Sequence, residues 1–259
     1  MATICITGSA SGIGAATKAR LEGKGHRVIG VDLRDADVCA DLSHPEGRTA
    51  AVNGVLDQCG GVLDGLVPGA GLSDPHPPAR IAAVNYFGAI AVTEGLRPAL
   101  ASATNAAVVM ISSNSTTMMP GIDVALTERF LAGDVSVCND VGAATAYYTS
   151  KLAIAWWMRA KAITAEWIGA GIRLNAVAPG VTDTNMTRPL MEIDGVKEAM
   201  NAIPLPIGRW GQPGEIAAVL DFLLGSDASY IVGQTLFVDG GTDALLQPRG
   251  YPTPLELPG

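Results

Sequence analysis

Thr7-Gly8-Ser9-Ala10-Ser11-Gly12-Ile13-Gly14 joins an apolar run, Thr3–Thr7, to a helical stretch that reads as Gly12–Glu22. A strand, a glycine-rich turn and a helix in that order make the phosphate-binding corner of a dinucleotide fold. Glycines permit the sharp turn and let backbone N–H groups reach a pyrophosphate, whose charge the helix N-terminus favours. Gly8, Ser11, Gly12, Ile13 and Gly14 are the expected contacts. The spacing is G-x-x-x-G-x-G instead of G-x-G-x-x-G, so the flanking strand and helix carry the assignment.

Outward from this corner the alternation continues. Arg27–Asp32 reads as a second strand, Glu46–Gln58 as a helix and Asp64–Pro68 as a strand. A long helix is expected over Ile81–Leu100, then a central strand over Ala106–Ser112. Tyr147–Trp167 reads as a helix, Ile172–Val177 as a strand, Gly214–Leu224 as a helix and Thr235–Val238 as the last strand. Buried strands joined by crossover helices predict an α/β fold: a Rossmann-type, doubly wound parallel sheet flanked by helices, in a single domain over 1–259. That length buries a full core without disulfide or metal staples. With 48% hydrophobic but only 5% aromatic residues, the core is built from Ala, Val, Ile and Leu.

A net charge of −8 without a basic cluster argues against nucleic acid. Cys5, Cys39, Cys59 and Cys138 lack metal-ligand spacing, and His26, His44 and His76 are scattered, so no metal site and no histidine base are expected. No apolar run approaches the length of a membrane span. The opening MATICITG lacks a cationic leader, and a cytoplasmic location is expected.

Asp32 ends the second strand, twenty positions beyond Gly12. A carboxylate there accepts hydrogen bonds from the adenosine ribose hydroxyls and repels a 2′-phosphate, which favours NAD over NADP. Arg34 is the counterweight, since a neighbouring arginine can receive that phosphate. Leu33 adjoins the same strand end. Asp41-Leu42 follows the next short apolar stretch and can set a carboxylate near the adenine amino group.

Tyr147-Tyr148-Thr149-Ser150-Lys151 opens a helix, with Tyr147 and Lys151 on one face at i and i+4. A phenol with a pKa of about 10 is only ~0.1% ionised at neutral pH. An ammonium close by lowers an acid's pKa by roughly 1–3 units. Tyr147 is therefore expected to act as a general acid/base. Ser112-Ser113 closes the central strand at the edge that faces the ligand crevice, where Ser113 can hydrogen-bond a substrate oxygen. Asn85 sits inside a helical stretch that disfavours it unless it has a task, such as holding a water near Lys151, or it simply faces solvent. Tyr148 has no matching lysine and reads as packing or substrate wall.

Together, the TGSASGIG loop, Asp32, Asn85, Ser113, the Tyr147/Lys151 pair and the Ala178-Pro179-Gly180 turn resemble the short-chain dehydrogenase/reductase family over nearly the whole chain. The resemblance implies an Asn85–Ser113–Tyr147–Lys151 catalytic tetrad, with Lys151 also binding the nicotinamide ribose. It implies NAD as cofactor, a small-molecule alcohol or ketone as substrate, and contacts to the nicotinamide end from Pro179, Gly180, Val181 and Thr184. The family's usual Asn-Asn-Ala-Gly is here Pro68-Gly69-Ala70-Gly71. This removes a side chain facing adenosine, although Gly69, Ala70 and Gly71 still allow close backbone approach.

Ser113 and Tyr147 are 34 positions apart, farther than in most members. The extra segment, about 114–146, contains a candidate helix, Asp123–Ala132, and Met118-Met119. Together with GHRVIGVDLRDADVCADLS and the Asp239-to-Asp243 ending, it resembles the bacterial 3α-hydroxysteroid dehydrogenase/carbonyl reductase branch. That implies a bulky apolar substrate such as a 3α-hydroxysteroid, a 3-ketosteroid or a xenobiotic carbonyl, beneath an apolar lid or beside residues that are only loop packing. Thr187–Ala202 is expected to be a mobile helix over the substrate, with Met186, Leu190, Met191, Ile193 and Met200 as walls. In the family the Tyr147 helix commonly pairs across a subunit interface, so a homo-oligomer is expected: a dimer formed elsewhere if the segment blocks that face, or a tetramer. The tail, about 244–259, reads as extended. The rival functions are a 3-oxoacyl thioester reductase of the same fold and a non-catalytic dinucleotide-binding protein.

Overall fold

The computed structural model describes residues 1–143 and 145–250. In chain order it runs β1 (Thr3–Thr7), α1 (Gly12–Gly23), β2 (Arg27–Asp32), β3 (Val38–Cys39), α2 (Pro45–Cys59), β4 (Gly65–Pro68), α3 (Pro78–Ala82), α4 (Ala89–Ala101) and β5 (Ala106–Ile111). Next come α5 (Ser115–Met118), α6 (Val124–Leu131), α7 (Val137–Asp140), α8 (Ala146–Ala162), β6 (Ile172–Pro179), α9 (Val196–Ala202), α10 (Pro213–Leu224), β7 (Thr235–Val238) and α11 (Thr242–Leu246).

The sheet has seven parallel strands in the order β3-β2-β1-β4-β5-β6-β7. After β3 the chain crosses back to the other side of β1, and this reversal opens a crevice at the carboxyl ends of β1 and β4. Every residue of β5 and β6 is buried, as strands covered on both faces must be. One face packs Leu66, Leu96, Met110, Phe130, Trp157 and Trp167; the other packs Ile6, Leu21, Val109, Val177, Ile216 and Leu220. Across that second face Arg20 and Lys24 of α1 hold Asp221 of α10 at 2.7 and 2.5 Å. Arg173, buried within β6, gives its guanidinium to the carbonyls of Leu223, Ala228, Leu224 and Gly225 and so closes the C-terminal end of α10. No helix among the described residues is long and apolar enough to cross a membrane.

The sequence-based elements stand with shifted ends and three corrections. The helix expected over Ile81–Leu100 is α3, a π-helical turn at Ala83–Gly88, and α4. The Tyr147–Trp167 helix ends at Ala162, where Thr164 turns its hydroxyl back to the Lys161 carbonyl at 2.9 Å. Trp167 lies beyond that end, buried edge-on against Trp157. The tail is not extended from 244, because Thr242–Leu246 is helical; residues 251–259 lie outside the described residues.

The described residues of segment 114–146 add to the core. Asp123 caps α6 by accepting the Leu126 N–H at 3.0 Å. Phe130, fully buried, meets the rings of Tyr86 and Phe87 at 5.1 and 5.6 Å. Leu126, Leu131 and Val137 join the same cluster, and neither Met118 nor Met119 reaches the crevice. Phe130→Ala should lower the unfolding free energy by about 3–5 kcal/mol in urea denaturation. A loss below about 1 kcal/mol would show that the segment is not part of the core.

Candidate active site

A cleft of about 320 Å³ lies at the strand ends where the sheet order reverses. Its floor is the Gly8–Gly14 turn. Gly8 has φ +75°, and a Cβ there would come within 2.9 Å of the Ala70 backbone. A Cβ at Gly14 would overlap the Gly8 carbonyl oxygen, so α1 can start against the turn only with glycine there. The result is a bare backbone cradle at a helix N-terminus, a surface that suits a pyrophosphate.

Asp32 accepts the Ala10 N–H at 2.9 Å and the Leu33 N–H at 2.7 Å, and so ties the turn to the end of β2. Arg34 is exposed, points to Asp35 at 4.0 Å and lies off the cleft wall. The carboxylate is therefore the charged group facing the cleft at that strand end. Where the usual Asn side chain is missing, the Thr7 hydroxyl accepts the Ala70 N–H at 3.0 Å and keeps the Gly69–Gly71 backbone close.

Asp41 and Leu42 line the same cleft. Burial acts to raise the Asp41 pKa, but the Ser43 hydrogen bonds and the Arg80 charge outweigh it and hold the carboxyl below its ordinary range. Arg80, Nη2 to Asp41 Oδ2 at 3.2 Å, was not foreseen: nothing in its sequence context separates it from a surface arginine. Leu72, Val84 and Asn185 also line the cleft and were equally unmarked, and Thr187 lines it from the start of the stretch expected over the substrate.

At the other end stand Ser113, Tyr147 and Lys151. Ser113 is buried and accepts the Ser115 N–H at 3.2 Å. Burial raises the Tyr147 pKa above the usual phenol value, and a hydrogen bond with Ser113 partly counters it. Lys151 Nζ donates to the Ile111 carbonyl at 2.8 Å and lies 5.8 Å from the Tyr147 ring centre. Burial pushes its pKa down to about 8. The expected lowering of the Tyr147 pKa is not what the site shows: burial dominates and raises it.

Of the anticipated residues, Gly8, Ser11, Gly12, Ile13, Gly14, Asp32, Leu33, Asp41, Leu42, Gly69, Ala70, Gly71, Ser113, Tyr147, Lys151, Pro179, Gly180 and Thr184 line this one cleft. Asn85 and Val181 do not. The Asn85 side chain is fully buried, with hydrogen bonds to the Leu72 N–H (2.7 Å), the Leu72 carbonyl (3.0 Å) and Ser150 Oγ (3.3 Å), so it does not face solvent. Val181 turns into a neighbouring hollow beside Ile216, Phe237 and Val238. Thr187–Ala202 is a 3₁₀ turn over Arg188–Glu192 followed by α9, and of its candidate walls Met186 alone lines the cleft. Tyr148 does not line it either.

Comparison with known proteins gives a consistent assignment. A family model described as short chain dehydrogenase matches residues 2–125, and one described as Enoyl-(Acyl carrier protein) reductase matches 132–243. The chain is 38% identical to the 3-alpha-hydroxysteroid dehydrogenase/carbonyl reductase of Comamonas testosteroni, over 97% of this chain and 100% of that protein. It is 30% identical to a cis-4-hydroxycyclohexanecarboxylate dehydrogenase of Sinomonas cyclohexanicum over 93% and 96% of the two chains. The 3-alpha-hydroxysteroid dehydrogenase from Pseudomonas sp. B-0831, solved in complex with NADH, superimposes with a TM-score of 0.91 at 42% identity, covering 95% of this chain and 99% of that one.

The buried lysine makes a pH prediction. Its folded pKa of about 8 lies below the ~10.4 of a solvated lysine. Between those values the unfolded chain binds more protons, so Lys151 makes the protein more stable as pH rises from about 8 towards ~10.4. Urea denaturation at stepped pH should show this rise in the wild type and a smaller one in Lys151→Met. Identical pH slopes would contradict it.

Proposed function

The chain belongs to the short-chain dehydrogenase/reductase family, and on that premise we propose an NAD-dependent oxidoreductase that interconverts a bulky, apolar secondary alcohol and its ketone. The observation that carries this reading is the cleft itself, which joins a glycine cradle and the Asp32 carboxylate at one end to Ser113, Tyr147 and Lys151 at the other. The donor set fits a dinucleotide: backbone N–H groups for the pyrophosphate, Asp32 for the adenosine ribose, and Lys151 for the nicotinamide ribose. NAD when bound takes hydride from the carbinol carbon in oxidation and returns it in reduction.

The protein's part is geometry and a proton. Ser113 Oγ and the Tyr147 hydroxyl hold the substrate oxygen between them. In oxidation Tyr147 takes the hydroxyl proton, and in reduction it gives that proton back. A phenolate in a dry site is costly, and the Lys151 ammonium on the same helical face offsets it. Asn85 acts at one remove: by clamping Leu72 and Ser150 it fixes the cleft wall and the helix that carries Tyr147.

A 3α-hydroxysteroid, a 3-ketosteroid or a xenobiotic carbonyl is the proposed substrate class, supported by the Comamonas relative and by the apolar walls of Leu72 and Met186. A homo-oligomer is proposed as well. The edge strand β7 is half-buried throughout, and Phe222 and Tyr230 stand exposed, so a second copy has surface to cover. A cytoplasmic location accords with the free thiols of Cys5, Cys39, Cys59 and Cys138.

Tyr147→Phe should cut turnover by about 10²–10⁴-fold while NADH still binds. Near-wild-type turnover would remove Tyr147 from the acid/base role. Asp32→Ala should erode the preference for NAD over NADP in paired kinetic assays, and an unchanged ratio would show that another group selects the cofactor.

A further inference from the structure

Between the end of β6 and the 3₁₀ turn at Arg188–Glu192, Gly180, Thr182, Thr184, Asn185, Met186 and Thr187 all line the cleft. The first part of this loop is anchored to the body of the protein. Gly211 donates its N–H to the Val181 carbonyl and accepts the Asp183 N–H, both at 2.9 Å. Thr182 is buried and gives its hydroxyl to the Gly180 carbonyl at 2.9 Å. The second part reaches across the cleft. A Cβ on Gly12 would lie 3.4 Å from the Thr184 methyl carbon, so Thr184 meets the glycine cradle from the opposite wall.

One hydroxyl ties the reaching part to the anchored part. Thr187 Oγ1 donates to the Thr182 carbonyl at 2.5 Å and accepts the Thr184 N–H at 3.0 Å. It also lies 3.2 Å from Thr184 Oγ1, which accepts the Met186 N–H at 3.2 Å. The backbone contributes a separate closure, with the N–H groups of Thr187 and Arg188 on the Thr184 carbonyl at 3.2 and 3.0 Å. That closure shapes the turn but does not fix it to Thr182. The Thr187 hydroxyl does, by spending its hydrogen on Thr182 and a lone pair on Thr184.

We propose that Thr187 is a positioning residue for the nicotinamide end of the cofactor, acting through Thr184, which its hydroxyl holds at the cleft. The proposal rests on the reading of Thr184 as a contact of that end. Valine has the shape of threonine without the hydroxyl, and serine keeps the hydroxyl. Removing the hydroxyl leaves the backbone turn intact but frees it from its anchor. Two lost hydrogen bonds are enough to lower the population of the competent turn about tenfold, and the apparent affinity falls in proportion.

Calorimetric titration of the full-length protein with NADH and with ADP-ribose, which lacks the nicotinamide ring, tests this in wild type, Thr187→Val, Thr187→Ser and Thr184→Val. Thr187→Val should weaken NADH by about tenfold and leave ADP-ribose unchanged. Thr187→Ser should bind both ligands as wild type does. Thr184→Val should weaken NADH and spare ADP-ribose.

If Thr187→Val binds NADH as wild type does while Thr184→Val weakens it, the Thr187 role is overturned and the reading of Thr184 stands. If Thr184→Val binds NADH unchanged, the reading of Thr184 has failed and the proposal falls with it. Equal weakening of NADH and ADP-ribose by Thr187→Val is the mark of a loosened fold, and it overturns the proposal. So does a Thr187→Ser variant that stays as weak for NADH as Thr187→Val, because the methyl group and not the hydroxyl would then be what matters.

Discussion

The hydrogen bond from Lys151 Nζ to the Ile111 carbonyl, 2.8 Å and buried, is the joint on which the candidate site depends. It fastens α8, which carries Tyr147, to the last residue of β5, the strand that leads into Ser113. A second bond at the same joint runs from Ser112 Oγ to the Lys151 carbonyl at 3.0 Å. Strand end and helix start are thus held from both sides, so the serine and tyrosine hydroxyls face one cleft. A buried ammonium carries a desolvation cost, visible in its pKa of about 8. The fold accepts that cost where a positive charge beside a phenol has chemical use.

The remainder of the cleft follows from close backbone approach. Gly8 and Gly14 let β1, α1 and the Gly69–Gly71 segment meet without side chains between them. Asp32 and Thr7 then spend their polar atoms on neighbouring N–H groups, so the cradle keeps its shape before any ligand arrives. On the far side of α8, segment 114–146 adds Phe130, Val137 and Leu126 to the core. It packs against the helix that carries Tyr147.

Sequence alone carried the parallel sheet because strand and helix periodicities differ and each apolar run was bounded by glycine or polar residues. The motif residues were legible for a related reason: a glycine turn after a strand, a carboxylate at a strand end and an i, i+4 Tyr–Lys pair each imply their own local geometry. What could not be read was whatever depends on non-local packing. Asn85 signalled a task, but its partners Leu72 and Ser150 are set by the π-helical turn and by α8. Val181 lies within a matching motif yet turns away beside Phe237. Arg80 meets Asp41 from 39 positions along the chain. Whether the apolar residues of the extra segment were lid or packing could not be read either, because Phe130 finds its partners, Tyr86 and Phe87, more than forty positions back along the chain.

The central claim is that this cleft moves hydride directly between a secondary alcohol and NAD while Tyr147 handles the proton. It is tested most directly by incubating the protein with NAD and a 3α-hydroxysteroid deuterated at the carbinol carbon, then analysing the reduced cofactor by mass spectrometry. The account predicts one deuterium in each NADH for each ketone formed. Ketone formed with unlabelled NADH, or no oxidation across a panel of bulky secondary alcohols, would contradict it.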